Sequence, residues 1–293
     1  MKTSFITTVL NEEKTIGDLL DSLSQQSKKP DEIIIVDGGS TDKTVEIIKK
    51  HPLKKKLIIQ PGANPSQGRN LAIKNSKYQI MALSDAGCQL DKDWLKRITK
   101  PFSNRNVDAV AGFYLAAAKN VFQKCLAPFV VTMPDKFDPA AFLPSSRSLA
   151  FKKSAWQKVG HYPEHLNYCD DLVFAANLKQ QTSMIVEASA IVYWQQVDNL
   201  IQFFKQIKNY ASGDIQAKYQ PHLKKIISTL LRYVFFTLLP PFFLLYLLWP
   251  IFKHFRYSPH ILSLLYLPLI QLTKDFAIIT ATLTSLVNPF KKR

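Results

Sequence analysis

The stretch Tyr78-Gln79-Ile80-Met81-Ala82-Leu83-Ser84-Asp85-Ala86-Gly87-Cys88 runs from an apolar segment into a carboxylate and a glycine. A short apolar run that stops at such residues reads as a buried strand delivering Asp85 to the edge of a sheet. An earlier run, Glu32-Ile33-Ile34-Ile35-Val36, ends the same way, at Asp37-Gly38-Gly39-Ser40-Thr41-Asp42. Open α/β sheets bind ligands beyond the carboxyl ends of their strands. Two carboxylates at two strand ends point to one site, with a spacing suited to a nucleotide and a metal ion.

Strand and helix patterns alternate around these two runs. Strands are expected at 5–10, 33–36, 57–60 and 79–83. Helices are expected at 12–26, with Ile16, Leu19, Leu20 and Leu23 at helical spacing, and at 41–50 and 66–75. Asn11 is the expected cap of the first helix, and Asp42 suits the dipole at the start of the second. The pattern predicts an α/β fold: a mostly parallel sheet covered by helices on both faces. The first strand is followed by Asn11-Glu12-Glu13 and not by a glycine-rich turn, which argues against a nicotinamide or flavin enzyme. Further on, strands are expected at 107–115, 148–151 and 185–194. Residues 116–146, with Pro128, Pro134, Pro139 and Pro144, read as loop over the site, and helices are expected at 170–181 and 199–218.

The chain has 293 residues and a formal charge of +16, enough for one catalytic domain of roughly 200–250 residues plus an appendage. We place the boundary at 220, with a membrane-associated region at 221–293. Cys88, Cys125 and Cys169 are too far apart for a metal-ligand motif or a disulfide framework and read as reduced thiols. The amino terminus reads as a first strand and not as a signal peptide, which predicts a cytoplasmic catalytic domain. No nucleic-acid-binding motif is evident, so no nucleic-acid partner is expected. The basic clusters Lys224-Lys225 and Lys291-Lys292-Arg293 flank an apolar region and suit anionic lipid headgroups. That region has two stretches, about 226–250, interrupted by Pro240-Pro241, and about 261–287, containing Lys274-Asp275. Both reach the roughly 17–25 residues of a membrane span. They predict an apolar helical hairpin at the cell membrane that either spans the bilayer or lies on it, with Lys274 and Asp275 paired or facing protein.

The ordered motifs Thr8-Val9-Leu10-Asn11-Glu12-Glu13, Ile35-Val36-Asp37-Gly38-Gly39-Ser40-Thr41-Asp42, Gly68-Arg69-Asn70 and Ser84-Asp85-Ala86-Gly87 carry a family resemblance. So do Ser146-Arg147-Ser148-Leu149-Ala150-Phe151-Lys152-Lys153, Val159-Gly160-His161-Tyr162-Pro163-Glu164 and Cys169-Asp170-Asp171. Over about its first 215 residues the chain resembles family-two nucleotide-sugar glycosyltransferases, which have the GT-A fold and invert the sugar carbon. The resemblance implies a UDP- or GDP-linked sugar as donor and a hydroxyl acceptor, a lipid-linked or cell-envelope glycan.

It also implies site residues. Thr8, Leu10 and Glu12 match the first nucleotide-binding loop, Asp37 the position beside the base, and Arg69 a basic position near the nucleotide. Ser84 and Asp85 match the metal and donor site, with Mg²⁺ or Mn²⁺ on Asp85. The family ends this strand with Asp-x-Asp, whereas Gly87 stands in the second place here. One carboxylate, the diphosphate and waters still complete a magnesium shell. Asp170-Asp171 replaces the family's Glu-Asp pair, with Asp171 as candidate base. Adjacent helix residues do not share a face, so only one of the two acts as base. Two alternatives remain: a polyprenyl-phosphate sugar synthase, in which the acceptor is a phosphate, and a noncatalytic membrane scaffold.

Overall fold

The computed structural model describes residues 1–287; the basic end Lys291-Lys292-Arg293 lies outside the described residues. The chain forms two compact units. One comprises Met1–Leu115 and Asp135–Gln195, the other Ala116–Pro134 and Gln196–Arg293.

The first unit opens with β1 (Thr3–Val9), α1 (Ile16–Ser24), β2 (Glu32–Asp37), α2 (Thr44–Lys50), β3 (Lys56–Ile59), α3 (Pro65–Lys74) and β4 (Ile80–Leu83). It continues with β5 (Cys88–Leu90), α4 (Trp94–Thr99) and β6 (Ala109–Ala117). These strands belong to one eight-stranded sheet in the order β3-β2-β1-β4-β7-β6-β8-β5. In it β7 is Leu149–Lys152 and β8 is Met184–Gln195. The strands β3, β2, β1 and β4 pair in parallel. Beyond β4 the recorded pairings, β4–β7, β6–β7 and β5–β8, are antiparallel. The parallel half follows from helical crossovers between strands, which return each strand in the same direction.

The expected strands and helices of the first eighty residues are present, with shifted ends. Ile16, Leu19, Leu20 and Leu23 are fully buried and join Phe5, Ile33 and Ile35 in one core cluster. Each such side chain contributes about 1.5–3 kcal/mol on burial. Asn11 does not cap α1. It adopts a left-handed backbone (φ 56°), and its Oδ1 accepts from the Thr41 N–H at 2.9 Å. The helix starts four residues later than a cap at Asn11 requires, because the intervening loop is stitched to the loop after β2.

The helices α6 (Lys153–Lys158) and α7 (Asp170–Gln181) also belong to this unit. Before α4, Asp91 Oδ1 accepts from the Asp93 N–H and pairs with Arg97 at 3.3 Å.

The second unit is helical. Residues 121–130, expected to be loop, form the helix α5 (Val121–Val130) despite Pro128, started by Asn120, whose side chain accepts from the Gln123 N–H. A proline in the last turns of a helix removes one hydrogen bond without preventing the turns before it. With α5 go α8 (Leu200–Gln216), α9 (Gln220–Leu238), α10 (Pro241–His254) and α11 (Ser263–Val287). The first apolar stretch is thus two helices broken at Leu239-Pro240. Among the described residues one helix, the 25-residue α11, is long and apolar enough to cross a membrane. Asp275 within it is buried and accepts from Tyr233, Tyr246 and Gln271, with Arg232 at 3.5 Å. Lys274 lies 5.8 Å from the centre of the Phe129 ring. The outer faces of α9, α10 and α11 leave Leu231, Leu238, Leu245, Trp249, Phe252 and Leu286 exposed.

Candidate active site

The parallel strands β1, β2 and β4 end at one edge of the sheet, and the loops beyond them meet there. Val9 is in register with Asp37. The Asn11 N–H donates to Ser40 Oγ at 2.9 Å and the Glu12 N–H to Thr44 Oγ1 at 2.7 Å, which ties the first loop to the second. Asp37 is fully buried. Its carboxylate accepts from the Gly39 and Ser40 N–H groups, each at 2.9 Å, and from the Ser40 hydroxyl. Asp37 therefore shapes its own loop, as a carboxylate before a Gly-Gly turn does. Leu10 is exposed beside this loop.

Each residue of Gly68-Arg69-Asn70 has a distinct structural reason. The capping box of Asn64 and Gln67 starts α3. A Cβ at Gly68 would stand 2.8 Å from Thr8 Cγ2, so only glycine lets α3 lie this close to β1. Asn70 accepts from Trp156 Nε1 and the Tyr162 N–H and donates to Glu164, fixing the segment before α7. Arg69 bridges two carboxylates. Nη1 donates to Asp170 Oδ2 at 2.6 Å and Nη2 to Asp85 Oδ1 at 3.0 Å. Burial acts to lower the Arg69 pKa, but Asp170 and then Asp85 outweigh it and hold the guanidinium charged.

The structure therefore brings Arg69, Asp85 and Asp170 into direct contact, with Asp171 next to them at the start of α7. Asp170 is buried and also accepts from Ser66 Oγ at 3.1 Å. Burial pushes its carboxyl up to about 6, with Arg69 opposing and Asp171 adding to the rise. Asp171 is half-buried, and its Oδ1 accepts from the Leu172 N–H. Glu12 belongs to the same electrostatic neighbourhood: burial raises its pKa, the Thr15 hydroxyl opposes this, and Asp85 and Asp42 add to it. Ser84 is buried beside Cys88. The Cys88 thiol is pushed up to about 12 by burial and by Asp85, with Arg147 and the Ser84 hydroxyl acting in the other direction. Asp37 shares the sheet edge but makes no recorded bond to the Arg69 cluster.

A second guanidinium, to which the sequence reading gave no role, completes the cluster. Arg147 Nε lies 4.0 Å from Asp85 Oδ2. Its guanidinium carbon sits 3.9 Å from the centre of the Trp194 ring and 5.4 Å from that of Tyr114. The signal was present as Arg147 within Ser146-Arg147-Ser148, but only the fold puts Trp194 beneath it. The flanking serines hold the segment: Ser146 Oγ is 3.0 Å from Tyr162 Oη, and Ser148 Oγ donates to the Ala190 carbonyl at 3.0 Å.

Asp85 is the one carboxylate at this edge that the expected divalent cation would have, and its two oxygens face Arg69 at 3.0 Å and Arg147 at 4.0 Å. Among the described residues no group of three His, Cys, Asp or Glu side chains could hold a metal. Magnesium commonly takes one or two carboxylates and completes its shell with substrate phosphates and water. A Cβ at Gly87 would meet nothing nearer than Trp194 at 3.8 Å, so the backbone there has room for a side chain.

A mixed sheet with carboxylates at the ends of its parallel strands fits the α/β class expected from the sequence. Residues 4–155, more than half of the chain, match the family Glycosyl transferase family 2, and the chain belongs to that family. It is 33% identical over 102 residues to the Staphylococcus aureus poly(ribitol-phosphate) beta-N-acetylglucosaminyltransferase TarS, covering 33% of this chain and 18% of TarS. It is 26% identical over 195 residues to the Salmonella typhimurium O-antigen chain rhamnosyltransferase RfbN, covering 61% of this chain and 62% of RfbN. The chain thus spans less than two thirds of either protein. Among solved structures, S. aureus TarS 1-349 in complex with UDP-GlcNAc superposes with a TM-score of 0.55 at 18% identity, over 100% of this chain and 93% of that one. The mannosyltransferase PcManGT from Pyrobaculum calidifontis, in complex with GDP-Man and Mn²⁺, gives 0.55 at 16% identity, over 99% and 81%. These likenesses confirm the expected GT-A fold.

Proposed function

We propose that this protein transfers a sugar from a UDP- or GDP-linked donor to a hydroxyl of a cell-envelope or lipid-linked glycan, with inversion at the sugar carbon. The observation that carries the reading is the Arg69 bridge, 2.6 Å to Asp170 and 3.0 Å to Asp85, at the carboxyl edge of a family-two fold. It joins the carboxylate expected at the leaving diphosphate to the pair expected at the acceptor. The envelope glycans named for TarS and RfbN support the acceptor class, and the UDP-GlcNAc and GDP-Man complexes support the donor class.

The roles divide by burial and bonding. Asp170 is buried and committed to Arg69 and Ser66, so it positions. Asp171 is the more accessible of the two and takes the acceptor proton as the new bond forms, a contribution of about 10²–10⁴ in rate. Asp85 would hold Mg²⁺ or Mn²⁺, with the donor diphosphate and water completing the shell. When bound, the cation neutralises charge on the departing nucleotide. Thr8, Leu10 and Glu12 line the nucleotide end, while Asp37, fully buried and bonded to Gly39 and Ser40, holds the loop beside it in place of meeting the base directly. Ser84 supports the strand end from within. The exposed apolar faces of α9, α10 and α11 associate with the cell membrane, with the catalytic unit on the cytoplasmic side.

The test is a donor-hydrolysis and transfer screen over UDP- and GDP-linked sugars with Mg²⁺ or Mn²⁺, wild type against Asp85→Ala. One donor class is expected to release its nucleoside diphosphate, and Asp85→Ala to lose that release. A wild-type chain that neither binds nor hydrolyses any donor overturns the reading. Full transfer by Asp171→Asn moves the assignment to a phosphate acceptor, the polyprenyl-phosphate alternative.

A further inference from the structure

We infer that Arg147 is a direct ligand of the donor's diphosphate and supplies, beside Asp85, positive charge that a second metal-binding carboxylate would otherwise recruit as a cation. The inference rests on the donor reading above and extends it to a residue with no role in that reading. Three observations carry it.

The first is charge. Asp85 and Asp170 share Arg69, whose two nitrogens are each committed to one of them. That trio is one charge negative, and a diphosphate arriving there adds further negative charge. Arg147 is the guanidinium next in reach of Asp85, through a 4.0 Å contact long enough to yield to a better-placed oxygen.

The second is orientation. The Arg147 guanidinium carbon sits over the Trp194 ring at 3.9 Å, which holds the head group in place, and the side chain keeps 16% of its surface exposed. A planar guanidinium presents its N–H groups from its edge and matches two phosphate oxygens at once. An arginine held in this way loses little freedom when it binds.

The third is the place itself. Gly87, where the family's second carboxylate would stand, lies against the same Trp194 ring, 3.8 Å from a built Cβ. Trp194 thus borders both the missing carboxylate and the guanidinium. Nucleotide binding then keeps a metal-independent part, set by Arg147.

The experiment is calorimetric titration of the full chain, wild type and Arg147→Gln, with UDP and uridine and with GDP and guanosine. Each titration is run in EDTA and again in Mn²⁺. Wild type is expected to bind one nucleoside diphosphate in EDTA within about tenfold of its affinity in Mn²⁺. Arg147→Gln is expected to lose at least about tenfold for that diphosphate in EDTA, the loss of one charge-assisted hydrogen bond, while its nucleoside affinity is unchanged. Where the Gln variant does not fold, Arg147→Lys keeps the charge and stem and is expected to show a smaller loss with the same diphosphate selectivity. Two outcomes overturn the inference and leave the donor reading standing: wild-type binding that vanishes in EDTA and returns with Mn²⁺, or a variant that weakens nucleoside and diphosphate alike. Absence of nucleoside diphosphate binding under every condition removes both.

Discussion

Arg69 donates to Asp170 Oδ2 at 2.6 Å from one nitrogen while the other serves Asp85 at 3.0 Å, so a single side chain sets the spacing between the end of β4 and the start of α7. Removing one partner of a buried ion pair leaves the other charge uncompensated, at about 3–5 kcal/mol. Arg69→Ala is expected to destabilise the first unit by that order in denaturant titration. Arg69→Lys should not restore donor turnover, because one ammonium cannot reproduce the two directed bonds.

Asp171→Asn tests the base. The rate of sugar transfer is expected to fall by about 10²–10⁴, with UDP or GDP affinity unchanged by calorimetry. An equal loss in Asp170→Asn together with reduced stability would fit the positioning role, since Asp170 holds Arg69 and Ser66.

The Asp170 carboxyl, raised to about 6 in the fold, makes stability depend on pH with a defined sign. Between the unfolded value near 4 and about 6, the native state holds a proton that the unfolded chain has released. Stability from this group therefore falls as pH rises through that window. Arg69, Ser66, Asp171 and Asp85 are the groups that face it. Scanning calorimetry from pH 4 to 7 should show this decline in wild type and its loss in Asp170→Asn.

Gly112 controls Arg147 at one remove. A Cβ there would stand 2.0 Å from Ser148 Oγ and 2.8 Å from the Ala190 carbonyl oxygen. Gly112→Ala must displace the serine beside Arg147, an overpacking cost of about 1–3 kcal/mol. Thermal melting should record that loss, and diphosphate affinity in EDTA should fall with it.

The membrane role of the helical unit is open to a direct measurement. Leu245→Glu and Phe252→Glu place charge on exposed apolar faces of α10. Both are expected to reduce flotation with vesicles containing anionic lipid, while soluble UDP or GDP binding is retained.

The sequence made the parallel half of the sheet legible, because apolar runs ending in Asp37 and Asp85 mark strand ends by themselves. It did not reveal β5, since three residues carry too little pattern. Prolines concealed α5, although Asn120 three residues before Gln123 is a cap signal. Asn11 has the chemistry of a cap yet spends its side chain on Thr41, a choice made by the neighbouring loop. Arg69 was legible as a basic site residue. Its bridge was not, and neither was Arg147, because stacking on Trp194 exists only after the chain has folded.

Asp275 receives bonds from Tyr233 on α9, from Tyr246 on α10 and from Gln271 within its own helix. A slip of one turn, about 5.4 Å, by α9 or by α10 would carry its tyrosine away from this buried acid and leave the acid with fewer donors in an oily interior. The alignment of the three rods is thereby keyed at a single rung, which favours one register among leucine-rich surfaces that could otherwise slide past one another.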